Sequence, residues 1–204
     1  MSVAGGPGLP RGFFTRPADL VARDLLGCVL THTSAEGRAG GRIVETEAYL
    51  PEGDPASHAH RGPTPRNASM FLVGGHAYVY LVYGLHLCFN VVTGPAGSGQ
   101  AVLIRALEPV AGMELMAERR GRPELCNGPA RLVQALGIER IQDGADLLDG
   151  PLTVCTGQPL PASTSIACGP RIGINRAVEL PLRFYLEGNP CISRRTIPRA
   201  TPRR

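Results

Sequence analysis

The sequence contains no lysine and no tryptophan. All 21 basic residues are arginine, against 17 acidic residues, for a net charge of +4. Arginine suits bidentate contacts with phosphate. A GC-rich genome produces the same bias, so charge alone supports nucleic acid only weakly. No run of 18 apolar residues occurs, which argues against a membrane-spanning helix. The opening MSVAGGPGLPRG lacks a basic segment followed by an apolar one, so no secretory signal and a cytoplasmic location are expected. Six cysteines (28, 88, 126, 155, 168 and 191) form no CxxC pair. That spacing disfavours zinc, and a cytoplasmic chain would keep the thiols reduced. Most read as small core residues. GxGxxG and Walker-type loops are also missing, which disfavours dinucleotide and nucleoside-triphosphate enzymes. Neither a repeat nor a composition shift divides the 204 residues, so one domain is expected.

What is present reads as clustered strands with inserted helices. Residues 1–12 are rich in Gly and Pro and read as a flexible terminus. Arg16 to Asp19 starts a short helix that Gly27 stops. A strand over Cys28–Thr31 and the turn Ala35–Gly41 lead into the stretch IVETEAY, making a hairpin. Residues 51–69 form a long Pro-, Gly- and Ser-rich loop, and such loops inside a compact domain are usually functional. Strand patterns follow at Ala77–Tyr83, His86–Val92 and Ala101–Leu107. Helices are expected at Val110–Arg119 and Pro129–Leu136. Short strands are expected at Leu152–Cys155, Ile166–Ala167 and Arg183–Leu186. The absence of regular βαβ alternation points to an α+β domain with a mainly antiparallel sheet.

In IVETEAY, positions i and i+2 share a strand face about 7 Å apart. Glu45, Glu47 and Tyr49 therefore line one side, and Val44, Thr46 and Ala48 the other. The plain reading is a half-buried strand with its polar face in water. Tyr49 and the adjoining long loop favour another, a pocket that binds a flat ring and activates a water. Four of the five tyrosines fall between positions 49 and 83. Tyr78 and Tyr80 share a face, Tyr78 reading as core. Tyr83 has the opposite parity and precedes Gly84, where a turn tip could serve as a wedge into a base stack. His58 and His60 alternate, but no third ligand has metal-site spacing. Arg105 ends an apolar run and needs a carboxylate partner, with Glu45 and Glu47 the candidates. Arg66 is placed to meet a phosphate. Asn127 reads as an N-cap, and a phosphate at that helix start could meet Arg131.

The segments VETEAYLPEGDPASHAHRGPTPRNASMF, AYVYLVYGLHLCFNVV, AVLIRALEP, ELCNGPARLVQALGI and PRIGI…LPLRFYLEGNP together resemble the alkyladenine (3-methyladenine) DNA glycosylases of the mammalian type. The resemblance runs in order from about Phe13 to Pro190. It implies a glycosylase domain over 13–190, with 1–12 and 191–204 as flexible termini. The implied fold is a single α+β domain with a curved, mainly antiparallel sheet and flanking helices, like the C-terminal domain of formyltransferases. It also implies a metal-free, cofactor-free hydrolase without lyase activity; separately, a monomer in a bacterial cytoplasm is expected. Its partner would be double-stranded DNA containing damaged purines, with no membrane association. By matching position, Glu47 would be the general base, with Arg105 and the Ile172 carbonyl helping to hold the water. Tyr49, His58 and Tyr80 would sandwich the extruded base, and the His58 N–H would read its edge. Asn90 would exclude a purine bearing a 2-amino group, and Leu103 would be an apolar wall. Tyr83 would fill the gap in the duplex. Thr64, Arg66, Asn127 and Arg131 would face the DNA backbone. Leu85 departs from the family pattern, replacing a larger thioether side chain beside the wedge.

Apart from the resemblance, other readings fit parts of the pattern. A non-catalytic protein could recognise damaged or bent DNA through Tyr83 and the arginines. A glycoside hydrolase would need Glu45 and Glu47 to flank a bond, yet neighbours on one strand face point in parallel. A formyl-transferring or small-molecule domain could share the sheet architecture.

Overall fold

The computed structural model describes residues 6–82 and 84–193. Tyr83 and the arginine-rich tail 194–204 lie outside the described residues, so the expectations for both stay there. The chain opens with α1 (Arg11–Phe14) and α2 (Ala18–Asp24), then the strands β1 (Val29–Ser34) and β2 (Gly37–Tyr49). After the long loop come β3 (Ala77–Val82), β4 (His86–Thr93) and β5 (Gln100–Ala111). Helices α3 (Met113–Arg120) and α4 (Pro129–Leu136) precede the short strands β6 (Leu152–Cys155), β7 (Ile166–Gly169) and β8 (Arg183–Leu186). All eight strands join one antiparallel sheet, ordered β3-β4-β5-β2-β1-β6, with β8 on β2 and β7 on β8. This is the α+β architecture the sequence implies.

The organising element is β2, 13 residues long. One edge pairs with β5; the other pairs first with β1 and then, over Glu45–Glu47, with β8. Backbone groups in its second half are thus satisfied on both sides, so that half can be buried without unpaired amides.

Side-chain alternation then separates two faces. Val44, Ala48, Val102, Ile104, Phe89, Val91 and Val79 point into the main core with α2 and α4. On α4, Leu132, Val133, Ala135 and Leu136 are buried while Arg131 and Gln134 are exposed, a helical stripe facing the sheet. Burying each large aliphatic side chain contributes about 1.5–3 kcal/mol. The opposite sheet face carries the polar and aromatic residues of the site.

Several boundaries differ from the sequence reading. The first hairpin turns through Ala35 and Glu36 alone, with Ser34 paired to Gly37. Strand β5 continues past Pro109, which sits opposite Gly41. A Cβ at Gly41 would lie 2.7 Å from Leu107 Cβ, so only glycine admits this approach. The helix expected from Val110 starts only at Met113, after Gly112 turns the chain at φ 64°. Residues 6–12 are not loose: Gly6 N–H donates to Thr156 O, Gly8 bridges to Cys155, and Leu9 is buried. Residues 191–193 are held too, as Ser193 joins a buried carboxylate. Of the cysteines, 28, 88, 126 and 155 are buried, whereas Cys168 is exposed.

Candidate active site

The sheet register lines the site residues up in a row. Glu47 pairs with Leu103 across β2 and β5, Leu103 with Asn90 across β5 and β4, and Asn90 with Tyr78 across β4 and β3. Tyr49, Arg105, Cys88 and Tyr80 stand two residues from these, on the same face. Over this face lies a cavity of about 660 Å³, within the roughly 300–1,000 Å³ range of small-molecule sites. Tyr49, His58, Tyr80, Asn90, Leu103, Arg105 and Ile172 line it.

The polar face of β2 is not in water. Glu45 and Glu47 are both fully buried. Glu45 accepts from Arg105 Nε at 3.1 Å, Arg183 Nε at 2.6 Å, Ser193 N–H at 2.6 Å and the Ser193 hydroxyl at 3.0 Å. That set of partners commits it to structure. Glu47 sits immediately behind the cavity wall. Its Oε1 accepts from Ile172 N–H at 2.7 Å and lies 3.2 Å from Arg105 Nη1. Its Oε2 accepts from the Tyr49 hydroxyl at 3.1 Å. An ionised carboxylate offers about four acceptor positions. Among the described residues, Ile172 N–H, Arg105 and the Tyr49 hydroxyl share these positions.

Burial raises the Glu47 pKa and outweighs the lowering by Arg105, the Ile172 N–H and the Tyr49 hydroxyl. Arg105, deprived of water, stays a cation beside Glu47 and Glu45. Burial likewise pushes the Tyr49 and Tyr80 hydroxyls above their ordinary range.

The aromatic wall is built from the loop and β3. The rings of Tyr78 and Tyr80 stack at 5.1 Å, and His58 meets Tyr80 edge-on at 4.5 Å. Tyr78 is core, as its position suggests, yet its hydroxyl also meets His58 Nδ1 at 2.9 Å. Burial and then Arg66 lower the His58 pKa, which keeps the imidazole neutral near pH 7. Asn90 donates from Nδ2 to Tyr78 O at 3.0 Å.

Asn67, which carries no signal of its own in the sequence, pins the loop. Its Nδ2 donates to the carbonyls of His58 and Gly62, and its Oδ1 accepts from Thr64 N–H and hydroxyl. Ser57 caps the 3-10 turn His58–Arg61 by accepting from Ala59 N–H. A further pair outside the sequence reading, Arg171 and Asp54, is buried behind Tyr49.

Of the residues expected at the DNA backbone, Arg66 lines the cavity, whereas Thr64, Asn127 and Arg131 do not. Arg66 is exposed and lines the cavity, with Nη2 donating to Leu81 O at 2.9 Å. Asn127 does not cap α4. Gly128 holds the N-cap position and no side chain caps it. The Asn127 Oδ1 instead accepts from the exposed Arg131 at 2.7 Å. Pro129 opens the helix, where its missing N–H leaves one fewer donor to satisfy. Leu85, beside the undescribed position 83, is 80% exposed.

A family model described as methylpurine-DNA glycosylase (MPG) matches residues 12–190. The protein named "Putative 3-methyladenine DNA glycosylase" from Methanoculleus marisnigri is 53% identical over 192 residues, spanning 92% of this chain and 99% of its own. Proteins of the same name from Burkholderia lata and Carboxydothermus hydrogenoformans are 51% and 49% identical, each spanning 92% of this chain and 92% and 99% of their own. The molecule is thus a DNA glycosylase, a hydrolase of base-excision repair acting on DNA. It belongs to the methylpurine-DNA glycosylase family.

Proposed function

We propose that the cavity receives an alkylated purine, 3-methyladenine first among them, flipped from duplex DNA, and that Glu47 activates the water that hydrolyses its N-glycosidic bond. The observation that carries this reading is the Glu47 carboxylate, buried against Arg105 and Ile172 behind a cavity lined by aromatic rings.

Extrusion costs a few kcal/mol, because the base must be unstacked and unpaired. Stacking on aromatic side chains returns about 1–3 kcal/mol per base. Tyr49, His58 and Tyr80 supply those surfaces, and Tyr83 would enter the vacated space. Asn90 and Leu103 would shape the far wall, Asn90 against a 2-amino group. Thr64, Arg66, Asn127 and Arg131 would meet phosphates. The attacking water gives its proton to Glu47, its oxygen bonds to the sugar carbon, and the purine departs with the glycosidic electron pair. The carboxylate also offsets the positive charge that develops on the sugar. Arg105 and the Ile172 backbone steady the water and carboxylate.

The substrate range follows from what the cavity lacks. A 3- or 7-alkylated purine is already cationic and leaves without protonation, and its ring gains from stacking on tyrosine. Hypoxanthine and ethenoadenine need a proton, and neutral His58 is no ready donor. Cationic lesions therefore react fastest, with 7-methylguanine behind 3-methyladenine because Asn90 stands against its 2-amino group. The chain has no lysine ε-amine to form a Schiff base with the abasic sugar, in keeping with a monofunctional enzyme. It acts as a monomer in a bacterial cytoplasm, without cofactor or membrane association.

The test is incubation with methylated duplex DNA, then hot alkali. Strand breaks at purines are expected. Salt-sensitive binding without breaks would reduce the protein to a damage binder. Single-turnover rates on 7-methylguanine and hypoxanthine duplexes across pH then test the lesion order. Faster hypoxanthine release that does not depend on acid would overturn it.

A further inference from the structure

Arg171 is buried and does not line the cavity. Its Nη1 and Nη2 donate to the two Asp54 oxygens, each at 2.6 Å. Nη1 also donates to Ala48 O at 3.0 Å. The guanidinium carbon lies 4.6 Å from the Tyr49 ring centroid. Asp54 in turn accepts from the N–H groups of Leu50 at 3.0 Å and Ala56 at 3.2 Å. The pair therefore grips the backbone on either side of Tyr49 and the ring itself. The next residue after Arg171 is Ile172, whose N–H holds Glu47 Oε1 at 2.7 Å.

A buried ion pair is a weak source of stability, since apolar residues of similar volume often hold a fold as well or better. What they lack is direction. A planar guanidinium fork fixes a carboxylate, a carbonyl and an aromatic plane at once. The geometry points to Arg171 and Asp54 as a positioning pair for base excision: they set the plane of Tyr49 and, through the Ile172 N–H, the orientation of the Glu47 carboxylate. This rests on Glu47 as the base and Tyr49 as a stacking surface. It adds that one buried contact aligns the grip on the purine and the aim of the water together.

The test is single-turnover excision from a 7-methylguanine duplex by the wild type, Arg171→Lys, and the double variant Arg171→Met with Asp54→Leu. Lysine keeps the charge and loses the fork. The expected result is a rate about 100-fold lower at saturating enzyme, the loss that follows a misplacement of around 1 Å, with DNA affinity retained. The acid limb of the rate should move to higher pH, because a displaced Ile172 N–H no longer favours ionised Glu47. The double variant should recover thermal stability and not rate. Recovery of both rate and acid limb would show the pair to be structural and overturn the proposal. A measurement on the wild type alone guards against unfolded variants. With ring-13C tyrosine, the two edges of Tyr49 should give separate signals, as in a gripped ring; a single averaged signal would refute the grip. A wild type that released no purine would sink the site assignment itself, whereas an active wild type with an indifferent Arg171→Lys would sink only the pair.

Discussion

The Tyr49 hydroxyl donates to Glu47 Oε2 at 3.1 Å from two places along the same strand. The ring that would stack on the purine is thereby tied to the carboxylate that would activate the water. Replacing Glu47 with Gln keeps the shape and a partner for Tyr49 but removes the base. Glu47→Gln should lose about 10²–10⁴-fold in excision rate, while a gel-shift titration finds DNA binding retained. Excision at the wild-type rate would remove Glu47 from the role of base.

Burial sets the pH dependence. The Glu47 pKa is raised above its ordinary 4.5. A raised carboxyl is protonated over a range where an exposed glutamate is ionised, so the base is silent there. The single-turnover rate on a cationic lesion should climb with pH through an inflection above 4.5, the climb reporting ionised Glu47. Protonation also removes the cost of a buried charge, so this group favours folding below 4.5 and that benefit fades as pH rises through its folded value. An inflection at or below the ordinary value would contradict the buried placement.

Glu45 should behave differently. It is fully buried among Arg105, Arg183 and Ser193. Glu45→Gln removes the buried negative charge that Arg105 and Arg183 share. Breaking a buried pair from one side costs about 3–5 kcal/mol. Urea unfolding should show that loss in stability, and activity should fall at temperatures where the wild type is intact. A variant as stable as the wild type would mean the arginines find other partners.

Asp54 gives the opposite sign. Burial alone would raise its pKa, but the Arg171 hydrogen bonds and the Leu50 N–H win and lower it below 3.8. A lowered carboxyl stabilises the fold above its unfolded value and loses that contribution as pH falls through the folded one. Melting temperatures of wild type and Asp54→Asn should differ at neutral pH and converge on acidification below 3.8. A gap that stayed constant with pH would place the effect outside this ionisation.

The strand alternation made the sheet legible in the sequence. Positions 45, 47 and 49, and 78 and 80, fall where parity puts them, and Arg105 meets both carboxylates. The same parity at Asn90 would have found Cys88, which also lines the cavity. Arg171 and Asp54 could not be found this way. They are 117 residues apart and both look like loop charges, so only tertiary closure brings them together. Pro109 misled because proline usually ends a strand, whereas here Gly41 opposite makes room for one more turn of ladder. Asn127 misled because the helix starts one residue later, with Gly128 at the N-cap and the Asn127 side chain turned to Arg131.

The family match ends at residue 190, yet Glu45 takes its contacts from Ser193. Cropping the enzyme at the family boundary would strip two donors from a carboxylate in the heart of the molecule. A minimal working fragment must therefore keep three residues past that border, and a fusion partner belongs beyond Ser193.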